Sequence, residues 1–183
     1  MPSVSPKADS IPRRQTRMRA LMVDNVRFVT RTLSKAGVPR SDLDDEVQRT
    51  FIVAAGRLDD VRDGAERSFL FQVARNTASH ARRTLARRRE VASDQLPEWL
   101  EAHTTPEDLI ARKQTRNLLD GILAGMDESL RAVFILFELE QWPMAEVAAA
   151  MGCPAQTAYA RLYAARKHIE LAVERRRKGW TGS

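Results

Sequence analysis

The chain has 183 residues, 43% of them hydrophobic, which is enough to bury one large core or two small ones. Its only cysteine, Cys153, excludes an intrachain disulfide and a zinc cluster built from cysteines. The formal net charge of +6 favours an anionic partner, and because no segment approaches the roughly 20 apolar residues that span a membrane, we expect a cytoplasmic protein without membrane insertion.

The first predicted helix follows a basic N-terminal segment. Residues 1–17 mix Pro, Ser, Lys and Arg without an apolar period, which predicts a flexible basic tail. Apolar side chains then recur at helical spacing until a glycine–valine–proline stop at 37–39. These side chains are Leu21, Met22, Val26, Val29 and Leu33.

A second helix is predicted from residue 42. Ser41 or Asp42 can cap it, and the acidic side chains that follow suit the positive end of a helix. Its apolar stripe consists of Leu43, Val47, Phe51, Ala54 and Leu58. Residues 59–66 contain a glycine and have no apolar period, so they predict a loop.

A third helix is predicted to be apolar on one face and cationic on another. The apolar face consists of Leu70, Val73, Ala74, Thr77, Ala81 and Leu85. The cationic face consists of Arg75, Ser79 and Arg82, with Asn76 and Arg83 beside them, and it continues into the arginine-rich run that ends at Arg89. Arginine presents a rigid fork of donors that suits phosphates and base edges, so this face predicts nucleic-acid binding.

The second half of the chain begins after a predicted linker. Periodicity fails across residues 90–104, and the capping signature that starts at Thr105 then opens a helix. A further helix is capped by Asp127. No strand pattern occurs, so the predicted fold is all-α, with two small helical domains at 18–89 and 105–178 and a short tail at 179–183.

Residues 143–168 have the pattern of a helix-turn-helix. A short helix from Pro143 to Met151 is followed by a tight turn at Gly152 and a longer helix from Ala155 to about Val173. The side chains predicted to face DNA are Gln156, Thr157, Tyr159, Ala160, Arg161 and Arg166. Glutamine reads adenine, arginine reads guanine or phosphate, and an alanine methyl contacts thymine.

Charge alternates along the chain in blocks. Residues 1–40 sum to about +7, 41–66 to about −5, 67–89 to about +7, 90–140 to about −7 and 141–183 to about +4. Separated basic blocks predict discrete docking surfaces for nucleic acid, which leaves the acidic blocks for a protein partner. Solvated helix faces would produce the same alternation, and this alternative stays open.

Motifs of catalysis are missing from the sequence. The three histidines, His80, His103 and His168, have no second ligand type at metal spacing, and there is no glycine-rich phosphate loop or nucleophile elbow. We therefore expect a protein that is not an enzyme and that needs no cofactor or metal.

Two blocks of the sequence resemble a known family. Asp45, Val47–Gln48, Thr50–Phe51 and Phe69–Asn76, with the arginine run, are similar to region two of the extracytoplasmic-function sigma factors of bacterial RNA polymerase. Phe134–Glu140, Gly152–Leu162 and Ala165–Arg166 are similar to region four. The resemblance implies a transcription initiation factor that binds core RNA polymerase and directs it to promoters.

The resemblance also implies a division of labour. Asp45, Gln48 and Phe51 would dock on the clamp helices of the β′ subunit, region four would lie near the β flap, and an anti-sigma protein would hold the factor inactive. Region two would melt the minus-ten element, with loop 59–66 capturing a flipped base. The implied minus-ten contacts are Arg75, Asn76, Ser79, Arg82, Arg83 and Arg87, and the implied minus-thirty-five contacts are the helix-turn-helix residues named above.

Two other functions remain open at this point. A helix-turn-helix repressor or activator would use residues 18–89 as a regulatory domain and would need an apolar pocket or a self-complementary face there. A helical interaction module would carry its basic patches incidentally and would not bind DNA by sequence.

Overall fold

The computed structural model describes residues 10–62, 64–91 and 107–180. Throughout these ranges the protein is helical and has no strand, which confirms the predicted all-α class. The helices are α1 (Ser10–Lys35), α2 (Leu43–Gly56), α3 (Glu66–Val91), α4 (Glu107–Ala124), α5 (Glu128–Phe134), α6 (Met144–Met151) and α7 (Ala155–Trp180). A π-helical turn at Ile135–Leu139 extends α5. From residue 92 onward the predicted linker lies outside the described residues.

α1 begins at Ser10, so the prediction of a flexible tail is wrong for residues 10–17. Arg14 Nη2 donates to Ala55 O at 2.7 Å, and Arg17 Nη2 donates to Val61 O at 2.6 Å. Arg17 also lies 3.5 Å from a carboxylate oxygen of Glu66. These partners are distant in sequence, so a pattern of apolar spacing does not detect them. They fasten the start of α1 to the end of α2, the segment that follows it and the start of α3.

The first three helices form the N-terminal half of the protein, residues 10–91. α1, α2 and α3 pack against one another. Their buried apolar side chains include Leu21, Val29, Leu33, Phe51, Ala54, Leu58, Leu70 and Ala74. Met22 and Val26, which share the helical spacing of α1, are instead 43% and 41% exposed.

The C-terminal half, residues 107–180, contains the helix-turn-helix. Gly152 ends α6 in the left-handed conformation, with φ of 60°, and its amide donates to the carbonyls of the last turn of α6. Small buried residues, Ala148 on α6 and Ala158 on α7, allow the two helices to approach closely. Cys153 is half-buried in this turn and packs against the core. α7 continues to Trp180, beyond its predicted end near Val173.

Asp127 caps α5 as predicted. Its carboxylate accepts hydrogen bonds from the amides of Ser129 at 2.8 Å and Leu130 at 3.4 Å, and from the Ser129 hydroxyl at 2.6 Å. The bonds from Ser129, from its hydroxyl first and then its amide, hold the pKa of Asp127 below its ordinary value of 3.8. The carboxylate is therefore the form that stabilises the helix.

Replacing Asp127 with alanine is expected to lower the free energy of unfolding by about 1 kcal/mol at pH 7. Because the folded-state pKa is lowered, this contribution is complete above pH 3.8 and is lost as the pH falls below that value through the folded-state pKa. Urea midpoints at neutral and acidic pH measure it, with the exposed Glu174→Ala on α7 as control. If Asp127→Ala remains less stable than the parent chain by the same amount after the carboxylate is protonated, this account is contradicted.

The two halves share one hydrophobic core. The sequence predicts two small domains, but the buried side chains form a continuous cluster that runs from Phe28 and Phe71 through Trp142 to Met144 and Val147. A smaller cluster between α4, α5 and α7 is built on Leu123, Met126 and Ala165. Any site on the facing surfaces of the two halves is therefore shaped by both.

No helix among the described residues is long and apolar enough to cross a membrane.

Candidate nucleic-acid and partner interfaces

α3 presents its polar residues as two strips, whereas the sequence predicts a single cationic face. One strip, which we call the open strip, is exposed and consists of Asn76, His80, Arg83 and Arg87. The other, the covered strip, is half-buried and consists of Arg75, Ser79 and Arg82. Three of the six predicted minus-ten residues are thus accessible in this conformation, and three face the C-terminal half.

The covered strip lies against α5 and α6. Arg75 Nε lies 3.8 Å from Glu128 Oε1, and Arg75 Nη1 lies 3.7 Å from Met151 Sδ. One turn earlier, Gln72 Nε2 donates to Ala150 O at 3.3 Å. Ser79 and Arg82 line a narrow crevice together with Glu128 and Arg131. The covered strip is therefore less accessible to a nucleic acid than the open strip.

Glu140 lies between the π-helical turn and α6, and its carboxylate contacts the N-terminal half. Only 5% of the Glu140 side chain is exposed. Its two carboxylate oxygens accept from Arg31, from Nε at 2.9 Å and from Nη2 at 2.7 Å, and Arg67 Nη2 lies 3.5 Å away. Arg31 and Glu140 thus form a bidentate ion pair with two parallel hydrogen bonds, which is the strongest arrangement of an arginine and a carboxylate. The pair raises the pKa of Arg31 through this hydrogen bond.

Trp142 follows two residues later. It packs at the interface between the two halves, which we call the seam. Its ring stacks on Phe28 with centroids 5.8 Å apart and leans on Phe71 at 6.4 Å. The guanidinium of Arg67 lies over both Phe28 and Trp142, at 4.6 and 5.4 Å from the ring centroids. Gln141, with φ of 57°, turns the chain so that the indole points inward.

Arg131 of α5 is a buried arginine that spans the seam. It is 1% exposed, and its guanidinium donates to Ala36 O at 2.7 Å and to Met126 O. Burial, and then the neighbouring charge of Arg82, lowers the pKa of Arg131 to about 10. The side chain is therefore still charged at neutral pH, and its hydrogen bonds to carbonyls offset part of the cost of burying that charge.

The predicted polymerase-docking residues lie on α2, but not all on one face. Asp45 and Gln48 are exposed, whereas Phe51 is 4% exposed and packs into the core. A direct contact by the Phe51 side chain is therefore not available in this conformation. Ile52, which the sequence analysis did not select, is 64% exposed beside Gln48.

Further apolar side chains are exposed on α1 and α2. Val53 of α2 is 44% exposed, and α1, which packs against α2, exposes Met22, Val23 and Val26. A run of apolar residues on the solvent side of a helix is unusual unless a partner covers it. We name the exposed side chains Asp45, Gln48 and Ile52 the α2 face.

The exposed side of α7 matches the predicted recognition helix. Gln156, Tyr159 and Ala160 are exposed, while Thr157 and Arg161 are half-buried. Tyr163, which is 70% exposed one turn beyond Tyr159, is a further candidate outside the predicted set. Its spacing of four from Tyr159 was the available signal.

Arg166, the last predicted contact on α7, already has a partner in this conformation. Its Nε donates to Glu138 Oε1 at 2.7 Å, and its guanidinium lies 5.9 Å from the ring centroid of Phe137. A phosphate would have to replace the carboxylate of Glu138. Among the described residues, no group of histidine, cysteine or acidic side chains is arranged to hold a metal ion.

Comparisons with known proteins place these surfaces in a family. The family model for sigma-70, region 4, matches residues 116–169, which include α5, the turn and most of α7. Proteins named ECF RNA polymerase sigma-E factor from Salmonella typhimurium strain LT2 and Escherichia coli strain K12 are 29% identical to this chain over 163 residues. The match covers 84% of this chain and 85% of each relative.

Two solved structures share the fold. CnrH in complex with the cytosolic domain of CnrY superimposes with a TM-score of 0.65 at 22% identity, covering 87% of this chain and 89% of that one. The sigma factor RpoE in complex with the anti-sigma factor NepR from Bartonella quintana gives a TM-score of 0.64 at 18% identity, covering 84% and 94%. By its region-four match and its similarity to the sigma-E factors along most of its length, the chain resembles the extracytoplasmic-function sigma factors of the sigma-70 family.

Proposed function

We propose that this protein is a bacterial transcription initiation factor that binds core RNA polymerase in the cytoplasm and directs it to specific promoters. It contributes binding energy and has no catalytic activity of its own. The observation that supports the proposal is the exposure of arginine and amide side chains on α3 and of glutamine and tyrosine on α7, in a chain whose relatives are named RNA polymerase sigma-E factors. One surface suits a melted strand and the other a duplex.

α7 is proposed to read the minus-thirty-five element in the major groove. Gln156 and Tyr159 lie in its first two turns and are exposed, as residues that enter a groove must be. Glutamine can pair with adenine through two hydrogen bonds, and the tyrosine ring can contact thymine methyl groups and sugars. Arg166 would hold a phosphate after releasing Glu138.

α3 is proposed to hold the minus-ten element after melting. The open strip supplies arginines for the phosphates of the strand and Asn76 for a base edge. Melting needs no catalytic residue, because binding to the separated strand offsets the loss of base pairing. Loop 59–66, which Arg14 and Arg17 of α1 hold in place, is proposed to receive the flipped base.

The α2 face is proposed to dock on the clamp helices of the β′ subunit, and the C-terminal half on the β flap. Asp45 and Gln48 offer polar contacts, and Ile52 offers apolar area at the centre of an interface. Phe51 supports this face from beneath. An anti-sigma protein is a further proposed partner, since one neighbouring structure is described as a sigma factor in complex with an anti-sigma factor.

Transcription in vitro tests the proposal. Purified protein, bacterial core RNA polymerase and a promoter library are expected to yield specific run-off transcripts. The double variant Gln156→Ala, Tyr159→Ala is expected to reduce them by on the order of tenfold or more, since each good base contact is worth about 1–3 kcal/mol. Its affinity for core polymerase should not change.

Glu174→Ala, exposed on the same helix well beyond its first turns, is the matched control and should transcribe like the parent chain. The absence of both specific transcripts and binding to core enzyme would overturn the proposed function.

A further inference from the structure

We propose that Arg17 of α1 is a positioning residue for base capture, which fixes the shape of loop 59–66 before the minus-ten strand arrives. The inference rests on the proposed function, in which this loop receives a flipped base, and it deepens that function by naming the group that prepares the loop. Arg17 lies in a stretch that the sequence predicts to be a flexible tail, and no DNA contact is proposed for it.

The guanidinium of Arg17 joins the two sides of the loop. Its Nη2 donates to Val61 O at 2.6 Å and lies 3.5 Å from Glu66 Oε1, and its Nη1 donates to Leu58 O at 3.3 Å. Leu58 and Val61 belong to the side of the loop that leaves α2, and Glu66 is the first residue of α3. One planar group with a fixed fork of donors therefore sets the distance between the two sides.

The described part of the loop is anchored at its base and exposed at its tip. The side chains of Leu58 and Val61 are 1% and 8% exposed, so they hold the first side of the loop from within. Beyond them, the amide of Ala65 donates to Arg62 O at 3.0 Å, and Gly64 has a φ of 84°. Arg62 and Gly64 are exposed, which leaves the tip accessible to an unstacked base.

The physical effect of Arg17 is to order the loop when the chain folds. A loop that becomes ordered only on binding loses conformational entropy at that step, and the complex is weaker by that amount. The side chains of Arg17 and Glu66 are 34% and 27% exposed, so solvent screens their attraction only in part. Because Arg17 acts on DNA through the loop, its contribution should depend on the presence of the captured base.

The test uses holoenzyme, assembled from core RNA polymerase and the full chain, on a promoter that the run-off assay selects. A fluorescein-labelled fragment of this promoter, single-stranded across the minus-ten element, carries an abasic site at each position of the element in turn. Fluorescence anisotropy gives the dissociation constants. The position where base loss most weakens binding of the parent chain identifies the captured base. The dissociation constant of that abasic fragment, divided by that of the intact fragment, is the base dependence.

Arg17→Gln is expected to lower the base dependence about fivefold, because the loop then becomes ordered on binding. Glu66→Ala removes the partner on the other side of the loop and should lower the base dependence as well. The two variants change net charge in opposite directions, so the first should weaken binding to the abasic fragment and the second should strengthen it. A fall in base dependence that both variants share therefore reports the loop and not the charge.

Arg19→Gln is the matched control, because it removes the same charge from an exposed residue on another side of α1. It should leave the base dependence at the parent value. Melting midpoints show whether each variant folds, and Glu66→Ala decides the test if Arg17→Gln does not fold.

An unchanged base dependence in Arg17→Gln and Glu66→Ala would overturn the inference, and so would the lack of any position where base loss weakens binding of the parent chain. Failure of the proposed function looks different. The parent chain would then give no specific transcripts with core polymerase, and the inference would fall with it.

Discussion

Replacing Trp142 with alanine is expected to lower the free energy of unfolding by about 3–5 kcal/mol, the range for removing a buried tryptophan or phenylalanine. The indole is 6% exposed and touches Phe28 and Phe71 from the other half, so its loss leaves a cavity lined by both halves. For a chain of this length the midpoint of thermal unfolding should fall by roughly 10 °C. Circular dichroism at 222 nm and urea titration measure both quantities.

Tyr163→Ala is the matched control, because this aromatic residue is 70% exposed and should change stability by no more than about 0.5 kcal/mol. Trp142→Phe should retain part of the stacking on Phe28. Its free energy of unfolding should therefore lie between those of Trp142→Ala and Tyr163→Ala. A loss below about 1 kcal/mol for Trp142→Ala would mean that the indole contributes little to the shared core.

Replacing Ile52 with aspartate is expected to weaken binding to core RNA polymerase by at least about 100-fold, because an unpaired charge would be buried where an apolar contact is proposed. The side chain is 64% exposed in the free protein, so the variant should fold and melt like the parent chain. Fluorescence anisotropy with labelled protein and core enzyme measures the affinity. The prediction follows from the proposed docking of the α2 face.

Leu171→Asp provides the comparison for this variant. Leu171 is 40% exposed on α7, away from the α2 face, and the same change there should leave polymerase affinity within a few-fold of the parent value. Equal affinity of Ile52→Asp and the parent chain would place the docking surface elsewhere. A shifted melting midpoint in Ile52→Asp would instead show that the residue supports the fold.

The helices themselves were largely predictable, because their signals are local. Apolar spacing located α2 and α3, Asp127 was recognised as a cap, and the glycine at 152 marked the turn of the helix-turn-helix. The N-terminal turns of α1 were missed because arginine–carbonyl bonds to residues more than 40 positions away hold them. Such bonds leave no periodic trace in the sequence.

The sequence predicts which residues form the candidate sites, but it does not predict which of those residues are exposed. The arginines of α3 were identified, yet the division into open and covered strips depends on where α5 and α6 pack, which no local pattern encodes. Phe51 was assigned to docking, but its place in an apolar stripe that also includes Ala54 already pointed to the core. Arg131 has the spacing of an ordinary surface arginine, and its burial depends on packing that includes Ala36 of the other half.

Gln141 places a left-handed backbone conformation directly before Trp142. Left-handed geometry costs a residue with a Cβ atom on the order of 1 kcal/mol, and glycine escapes this cost. The side chain is exposed, and its Nε2 donates to Glu138 O at 2.6 Å, so a substitution here changes this bond and the backbone cost without reaching the buried core. Glycine at this position would remove the backbone cost, so Gln141→Gly is expected to leave the turn before Trp142 intact.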